Sequence, residues 1–163
     1  MLGPVERDAL VRRLFAHVVG VLQDGGLRVI ALSPDPIDGP EVWLDEGDGL
    51  NRAVAAALRR LDTPVLIVHA DLPKLADEDI DGILCAPGDV VVARSRDGGT
   101  SGLLLRRLIA PSFGPGSTAA HASLARRAGL RATVIDTPGF ASDVDDERGL
   151  SASGACALRD MRP

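Results

Sequence analysis

Lysine and aromatic residues are scarce in this chain of 163 residues. Lys74 is its only lysine, and it has three phenylalanines, one tryptophan and no tyrosine. Nucleic-acid-binding proteins rely on basic surfaces and on rings that stack against bases, so this scarcity and the net charge of −5 argue against a nucleic-acid partner. An acidic protein that binds a polyphosphate needs cations to screen the contact, which favours a metal.

Cysteines and long apolar runs are also few. Cys85 and Cys156 lie far apart in the sequence, so free thiols and a cytoplasmic location are the expectation. No apolar run approaches the roughly 20 residues that a membrane-spanning helix needs. Residues 1–7 lack the charged and then apolar layout of a signal peptide. We therefore predict a cytoplasmic protein that does not associate with membranes.

Helical and extended patterns alternate along the chain. Apolar residues recur at helical spacing in four segments, 4–24, 50–61, 77–84 and 117–128, and the tail from Asp146 could form a final helix. Short apolar strands are predicted at 27–32, 41–44, 64–69, 90–93 and 131–135. This alternation predicts one α/β domain over residues 1–163 with a mostly parallel sheet.

Three aspartates form a candidate metal site. Asp71 follows the most apolar predicted strand, at the sheet edge where α/β proteins bind ligands. Asp143 and Asp145 are two residues apart, so both point to one side of an extended segment. Together they could hold a divalent cation. The alternatives are a turn aspartate before Pro73 and a solvated acidic loop.

Two glycine-rich turns could bind an anion through their backbone amides. The first, residues 97–100, ends in Thr100 and could equally be a hairpin turn into the apolar residues 103–105. The second, residues 114–117, opens a helix with Ser117 as the predicted N-cap. An ordinary N-cap explains Ser117 but does not require two preceding glycines.

Three further polar residues have a functional and a structural interpretation. Asn51 could bind a nucleotide base or ribose, or be a polar residue in the first turn of a helix. His69 lies in an apolar strand and fits a hydrogen-bonded core histidine better than a ligand. His121 could contact substrate, be exposed, or serve the structure, and we favour a structural role.

Five motifs, in this order, resemble the phosphoenolpyruvate/2-phospho-L-lactate guanylyltransferases of coenzyme F(420) biosynthesis. The resemblance runs from Pro4 to Leu150, and the motifs are Gly49-Leu50-Asn51, Ala70-Asp71-Leu72-Pro73, Asp97-Gly98-Gly99-Thr100, Phe113-Gly114-Pro115-Gly116-Ser117 with His121, and Asp143-Val144-Asp145.

This resemblance implies a Rossmann-like nucleotidyltransferase fold of the nucleotide-diphospho-sugar transferase type, a three-layer sandwich. It implies transfer of GMP from GTP to phosphoenolpyruvate or 2-phospho-L-lactate, with release of pyrophosphate. The implied site residues are Asp71, Asp143 and Asp145 for Mg²⁺ and catalysis, Gly99, Thr100, Gly114, Gly116 and Ser117 for the acceptor, and Gly49 and Asn51 for the nucleotide.

The sequence departs from the family pattern in two places. Ser101 stands where the family usually has asparagine. The family's first strand and its lysine-bearing loop have no counterpart here, since no lysine precedes Lys74. We therefore expect an N-terminally truncated domain with unpaired strand edges that a homodimer could cover. The alternative function is a catalytically weak or inactive homologue that binds a phosphorylated metabolite or a partner protein.

Overall fold

The computed structural model describes residues 3–44, 49–142 and 156–158. Helices and strands alternate along these residues, as the sequence predicts. The helices are α1 (Pro4–Asp24), α2 (Leu50–Leu58), α3 (Asp77–Cys85) and α4 (Ser117–Arg127). The strands are β1 (Ile30–Ser33), β2 (Glu41–Leu44), β3 (Val65–Val68), β4 (Val90–Arg94), β5 (Thr100–Leu105), β6 (Ala132–Ile135) and β7 (Cys156–Leu158), and a 3₁₀ turn spans Phe140–Ser142.

The seven strands form one sheet in the order β2-β1-β7-β3-β5-β4-β6. β1 pairs in parallel with β2 and β4 with β6, whereas the other four neighbouring pairs are antiparallel. When direction is followed across these pairs, β1, β2, β3, β4 and β6 run the same way and only β5 and β7 run against them. Five of the seven described strands therefore run in one direction, which confirms the predicted α/β fold with mostly parallel strands.

Helices cover both faces of the sheet, because successive residues of a strand point to opposite sides. In β3, Leu66 and Val68 pack into one apolar cluster with α1 and α3. Val65 and Ile67 pack into a second cluster with α2 and α4. All four side chains are buried, as expected for a strand covered on both faces. The predicted three-layer arrangement follows from these two clusters.

The centre of the sheet differs from the sequence expectation. β7 lies between β1 and β3 and pairs antiparallel with both, so the unpaired edges that we expected there are absent from the described structure. The prediction that the tail forms a helix is wrong for residues 156–158. With β1 and β3 both paired, the proposed reason for a homodimer no longer applies to these strands.

The boundaries of the other predicted elements agree with the sequence to within a few residues, whereas β5 (Thr100–Leu105) is not among the predicted strands. The first strand begins at Ile30 rather than Leu27, and the second helix ends at Leu58 although Leu61 still packs beneath it. Gly116, not Ser117, is the N-cap of α4, because its backbone takes the left-handed conformation (φ 69°) that ends the preceding loop. Within the described ranges, no helix is both long and apolar enough to cross a membrane.

Candidate functional site

Three segments meet at one edge of the sheet and are joined there by backbone hydrogen bonds. The N–H of His69, just beyond β3, donates to the carbonyl of Ser101 at 2.9 Å. The N–H of Thr118, in the first turn of α4, donates to the carbonyl of Gly98 at 3.3 Å. The end of β3, the β4–β5 turn and the start of α4 therefore form one continuous surface.

The β4–β5 turn is a hairpin in which the local structure favours glycine at positions 98 and 99. Gly98 has a φ of +85°, which favours glycine. A Cβ on Gly99 would lie 2.7 Å from Ser95 Oγ and 2.9 Å from Asp97 Oδ1. That carboxylate accepts hydrogen bonds from the Ser95 hydroxyl and the Gly99 N–H, which hold the pKa of Asp97 below its ordinary value. The hairpin interpretation of this motif is therefore correct.

The same turn also forms one wall of a candidate anion site at the start of α4. The Thr118 hydroxyl donates to the Gly99 carbonyl and ties the turn to the helix. Ser117 is 2% exposed, and its Oγ has no hydrogen-bond partner among the described residues. A buried polar atom without a partner is costly, and this hydroxyl lies in the first turn of the helix, at the positive end of the helix dipole.

His121 connects this site to the loop that precedes α4. Its side chain is completely buried, its Nδ1 lies 3.1 Å from Thr100 Oγ1, and its Nε2 accepts the Ser112 N–H at 2.9 Å. Burial and, secondarily, the nearby His69 lower the pKa of His121 to about 4. The ring is therefore neutral near pH 7. The structural role favoured for this residue fits these contacts.

Asn51 holds the same loop from α2. Its Nδ2 donates to the Phe113 carbonyl at 3.0 Å, and its Oδ1 accepts the Phe113 N–H. The Phe113 ring in turn lies 4.9 Å from the His121 ring, edge to face, and 5.3 Å from His69. Gly49, with a φ of +89°, is the N-cap of α2. Nucleotide binding by Gly49 and Asn51 remains a prediction, but both polar groups of Asn51 already have partners.

Asp71 is a half-buried aspartate just beyond the end of β3. Its Oδ1 is buried and forms no hydrogen bond within the described structure. A buried carboxylate oxygen in this state fits a cation ligand, since an unpaired buried charge is otherwise destabilising. Asp143 and Asp145 lie outside the described residues. The described residues alone contain no group of three potential metal ligands.

Residues 1–152 match the family described as "Guanylyl transferase CofC like". The chain belongs to this family. A phosphoenolpyruvate guanylyltransferase of Rubrobacter xylanophilus is 35% identical, over 99% of this chain and 89% of the relative. A 2-phospho-L-lactate guanylyltransferase of Archaeoglobus fulgidus is 34% identical, over 92% of this chain and 72% of the relative. The resemblance noted in the sequence is thereby confirmed.

The fold of this guanylyl transferase family member also matches solved structures. A nucleotide-diphospho-sugar transferase candidate from Desulfovibrio desulfuricans G20 superimposes with a TM-score of 0.66 at 17% identity, over 84% of this chain and 69% of that one. A structure described as a hypothetical transferase from Thermus thermophilus gives a TM-score of 0.57 at 20% identity, over 85% of this chain and 84% of that one. At such low identity the likeness concerns the fold alone, and it confirms the predicted nucleotide-diphospho-sugar transferase type.

The predicted acceptor residues of this CofC-like chain lie together. Gly99 and Thr100 are bonded to α4, which begins after Gly114 and Gly116 and carries Ser117. Gly114 has a φ of +135°, so the loop conformation itself favours glycine there. Asp71 follows β3, the strand beside β5, whereas the other two predicted metal ligands lie outside the described residues.

Sequence reasoning missed a cavity in this transferase that has Asp71 among its lining residues. It has a volume of about 520 Å³ and lies between α1 and the segment 33–40, with Ala70 and Asp71 at one end. Apolar residues of α1, including Val11 and Phe15, line it. The only sequence signal was the turn at 33–36, which has no motif that suggests a ligand.

Proposed function

We propose that this chain transfers GMP from GTP to phosphoenolpyruvate or 2-phospho-L-lactate in the pathway to coenzyme F(420). Membership of the guanylyl transferase family carries this proposal. The named relatives support these two acceptors, and the partnerless Ser117 hydroxyl at the start of α4 supports an anion-binding role for that end of the site.

The acceptor's anionic group is proposed to bind between the β4–β5 turn and α4. The positive end of the helix dipole favours an anion there, and the hydroxyls of Ser117 and Thr100 add donors. Both residues are at most 3% exposed, so a ligand that reaches them is shielded from water. Hydrogen bonds to a charged group are stronger than neutral ones, particularly away from water.

Mg²⁺ is proposed to bind at Asp71 together with Asp143 and Asp145. The buried, partnerless Oδ1 of Asp71 supports this assignment. Magnesium prefers oxygen ligands and typically binds through one or two carboxylates and substrate phosphates. When bound, it would neutralise charge on the phosphates of GTP during the transfer.

The reaction needs the protein mainly to position the acceptor relative to GTP. An acceptor phosphate oxygen, already anionic, forms a bond to the α-phosphorus of GTP. The bond from that phosphorus to the oxygen that bridges it to the β-phosphorus breaks, and pyrophosphate leaves with the electron pair. No proton is removed from the nucleophile. The contribution of the chain is to hold the acceptor in line, which can supply much of the rate enhancement.

The nucleotide is proposed to occupy the cavity beside α1. Its volume of about 520 Å³ is within the range typical of small-molecule sites, and it ends at Asp71. The β4–β5 turn and α4, which form the proposed acceptor site, do not line it. Gly49 and Asn51 do not line it either, so this placement is an alternative to the nucleotide-binding role predicted for those two residues. The two substrates would then approach the same carboxylate from different sides. The cytoplasm is proposed as the location, because GTP is available there.

A direct assay tests this function. The protein is incubated with Mg²⁺, each of the four nucleoside triphosphates and each of the two acceptors, and pyrophosphate release is measured. We expect release with GTP and at least one acceptor, and none without an acceptor. Binding of an acceptor without pyrophosphate release, for every triphosphate, would support the alternative of an inactive homologue.

A further inference from the structure

His121 has its two ring nitrogens engaged with two different segments of the candidate site. One contact is to Thr100 at the start of β5, and the other is to Ser112 in the loop before α4. A ring with both nitrogens occupied and no exposed surface cannot itself contact a substrate. Any role in the reaction must therefore act through the groups that it holds.

The bond to Ser112 decides which nitrogen carries the proton. A backbone N–H can only donate, so Nε2 of His121 must be the acceptor at 2.9 Å. A neutral imidazole carries one hydrogen, which then lies on Nδ1. Nδ1–H therefore donates to Thr100 Oγ1 at 3.1 Å.

This assignment leaves the hydrogen of the Thr100 hydroxyl uncommitted. The oxygen accepts from His121, and within the described part of the chain no acceptor takes the hydroxyl hydrogen. Thr100 is 3% exposed, so its hydroxyl hydrogen has little access to bulk water as an alternative acceptor. The Thr118 hydroxyl, one turn before His121, is directed elsewhere because it donates to Gly99.

We propose that His121 is a positioning residue that makes the Thr100 hydroxyl a directed donor toward the anionic group of the acceptor. The inference rests on the proposed function for the identity of that acceptor. The imidazole occupies one lone pair of the oxygen, which removes the orientations in which the hydroxyl would turn toward the ring. The same ring fixes Ser112 and so sets the position of the loop that leads into α4.

The ring has the charge state that this role needs. Its pKa is lowered to about 4, first by burial and then by the charge of His69. A protonated ring could not accept the Ser112 N–H, so the arrangement requires the neutral form. The edge-to-face contact with Phe113 at 4.9 Å holds the plane of the ring.

Two variants separate the two bonds of the ring. In His121→Asn the side-chain amide can place its nitrogen near the former Nδ1, which keeps a donor for Thr100 and loses the acceptor for Ser112. In His121→Gln the amide oxygen can reach the former Nε2 position, which keeps the acceptor for Ser112 and loses the donor for Thr100. Thr100→Val removes the hydroxyl and keeps the shape of the side chain.

We expect His121→Gln to lower kcat/KM for the acceptor by about ten- to a hundredfold, the range for a lost hydrogen bond to a charged group. KM for GTP should stay within about twofold. His121→Asn should keep most of the acceptor affinity but speed amide exchange at Ser112. Adding Thr100→Val to His121→Gln should cost little more, because both changes remove the same interaction. Equal losses for acceptor and GTP, or full additivity, would overturn the proposal.

Measurements that do not depend on catalytic turnover separate this inference from the proposed function. Nitrogen NMR of the histidine rings reports which nitrogen is protonated, and we expect Nδ1–H for His121 at pH 7. Calorimetry with phosphoenolpyruvate and 2-phospho-L-lactate then compares the wild type with His121→Gln. An Nε2–H ring, or unchanged acceptor affinity in the variant, would refute the positioning role even in an active enzyme. A wild type that binds acceptor but releases no pyrophosphate would refute only the transferase proposal.

Discussion

Individual polar atoms distinguish the candidate site from the rest of the molecule. Most buried polar groups in the described structure have partners, as in Asp79, which accepts the N–H groups of Ala76 and Gly139. Five buried side-chain atoms have none among the described residues: Ser117 Oγ, Asp71 Oδ1, Ser101 Oγ and His69 Nε2, which belong to the candidate site or adjoin it, and Thr137 Oγ1, which follows β6. An unsatisfied buried group is tolerated where a ligand can complete its hydrogen bonds.

Ser117→Ala tests the hydroxyl at the start of α4. Because Ser117 Oγ has no partner in the described structure, its loss should leave the free energy of unfolding nearly unchanged. Acceptor binding should weaken by about 1–3 kcal/mol, the range for a hydrogen bond to a charged group. Calorimetry with each acceptor measures this, and Ser123→Ala in the same helix is the control. A similar loss of GTP affinity would indicate damage to the whole site.

Acid should destabilise the protein through His121. Its pKa in the folded state is lowered from 6.5 to about 4, so between these pH values the unfolded chain binds a proton that the folded chain does not. This contribution to stability is complete above pH 6.5 and is lost as the pH falls toward 4, by at most about 3 kcal/mol. Urea unfolding at several pH values measures it.

His121→Gln should reduce the slope of stability against pH in this window. It should not abolish the slope, because burial also lowers the pKa of His69. An unchanged slope in the variant would mean that folding does not lower the pKa of His121.

At the scale of elements, α2 and α4 each contribute one side chain that fixes the loop between β5 and α4. Asn51 binds the backbone of Phe113, and His121 binds that of Ser112. Backbone-to-backbone hydrogen bonds hold the two ends of this loop, from Arg106 and Arg107 to Asp89 and from Ser117 to Gly114, but none holds residues 108–113 in the described structure. Its conformation therefore depends on these two side chains.

Asn51→Asp and Asn51→Ala distinguish loop positioning from nucleotide binding. Aspartate keeps an acceptor for the Phe113 N–H but loses the donor to its carbonyl, and alanine loses both. If Asn51 serves the loop, both variants should raise KM for the acceptor several-fold, and Phe113 amide exchange should speed up most in the alanine variant. If Asn51 binds the nucleotide as the family motif implies, KM for GTP should rise instead.

Asp71, which is half-buried, and Asp79, which is buried, should respond differently to the loss of their charge. Asp71→Asn should abolish Mg²⁺-dependent turnover and leave the melting temperature nearly unchanged, because Oδ1 makes no hydrogen bond in the described structure. Asp79→Ala should leave metal affinity intact and cost about 1–3 kcal/mol of stability, because two N–H groups lose their acceptor. Unchanged magnesium affinity in Asp71→Asn, measured by calorimetry, would remove Asp71 from the metal site.

Local sequence patterns predicted the elements better than the contacts between them. The apolar spacing predicted α1 with the observed bounds, because the periodicity of a helix is a local property. The partnership of Asn51 with Phe113 joins residues 62 positions apart, and no local pattern reveals it. The site motifs could be found in the sequence because glycine-rich turns and carboxylates at strand ends are also local sequence features. The shift of the α4 N-cap to Gly116 depends on a backbone angle that Ser117 alone does not indicate.

At the scale of the whole molecule, a three-residue strand joins the two halves of the sheet. β7 pairs with β1 on one side and with β3 on the other. On one side of it lie β1 and β2, and on the other lie β3, β5, β4 and β6 with the acceptor site. The sequence could not predict this strand, because its pairing partners are more than 80 residues away in the chain.

Removing β7 should therefore destabilise the sheet at its centre. A chain ending at Ala155 would leave the facing edges of β1 and β3 without partners, and open strand edges promote association. We expect a lower melting temperature and a concentration-dependent shift to larger species in size-exclusion chromatography. A chain ending at Leu158 keeps the strand and is the matched control. Equal melting temperatures for the two chains would mean that β7 contributes little to stability, and that β1 and β3 are held together by the two apolar clusters alone.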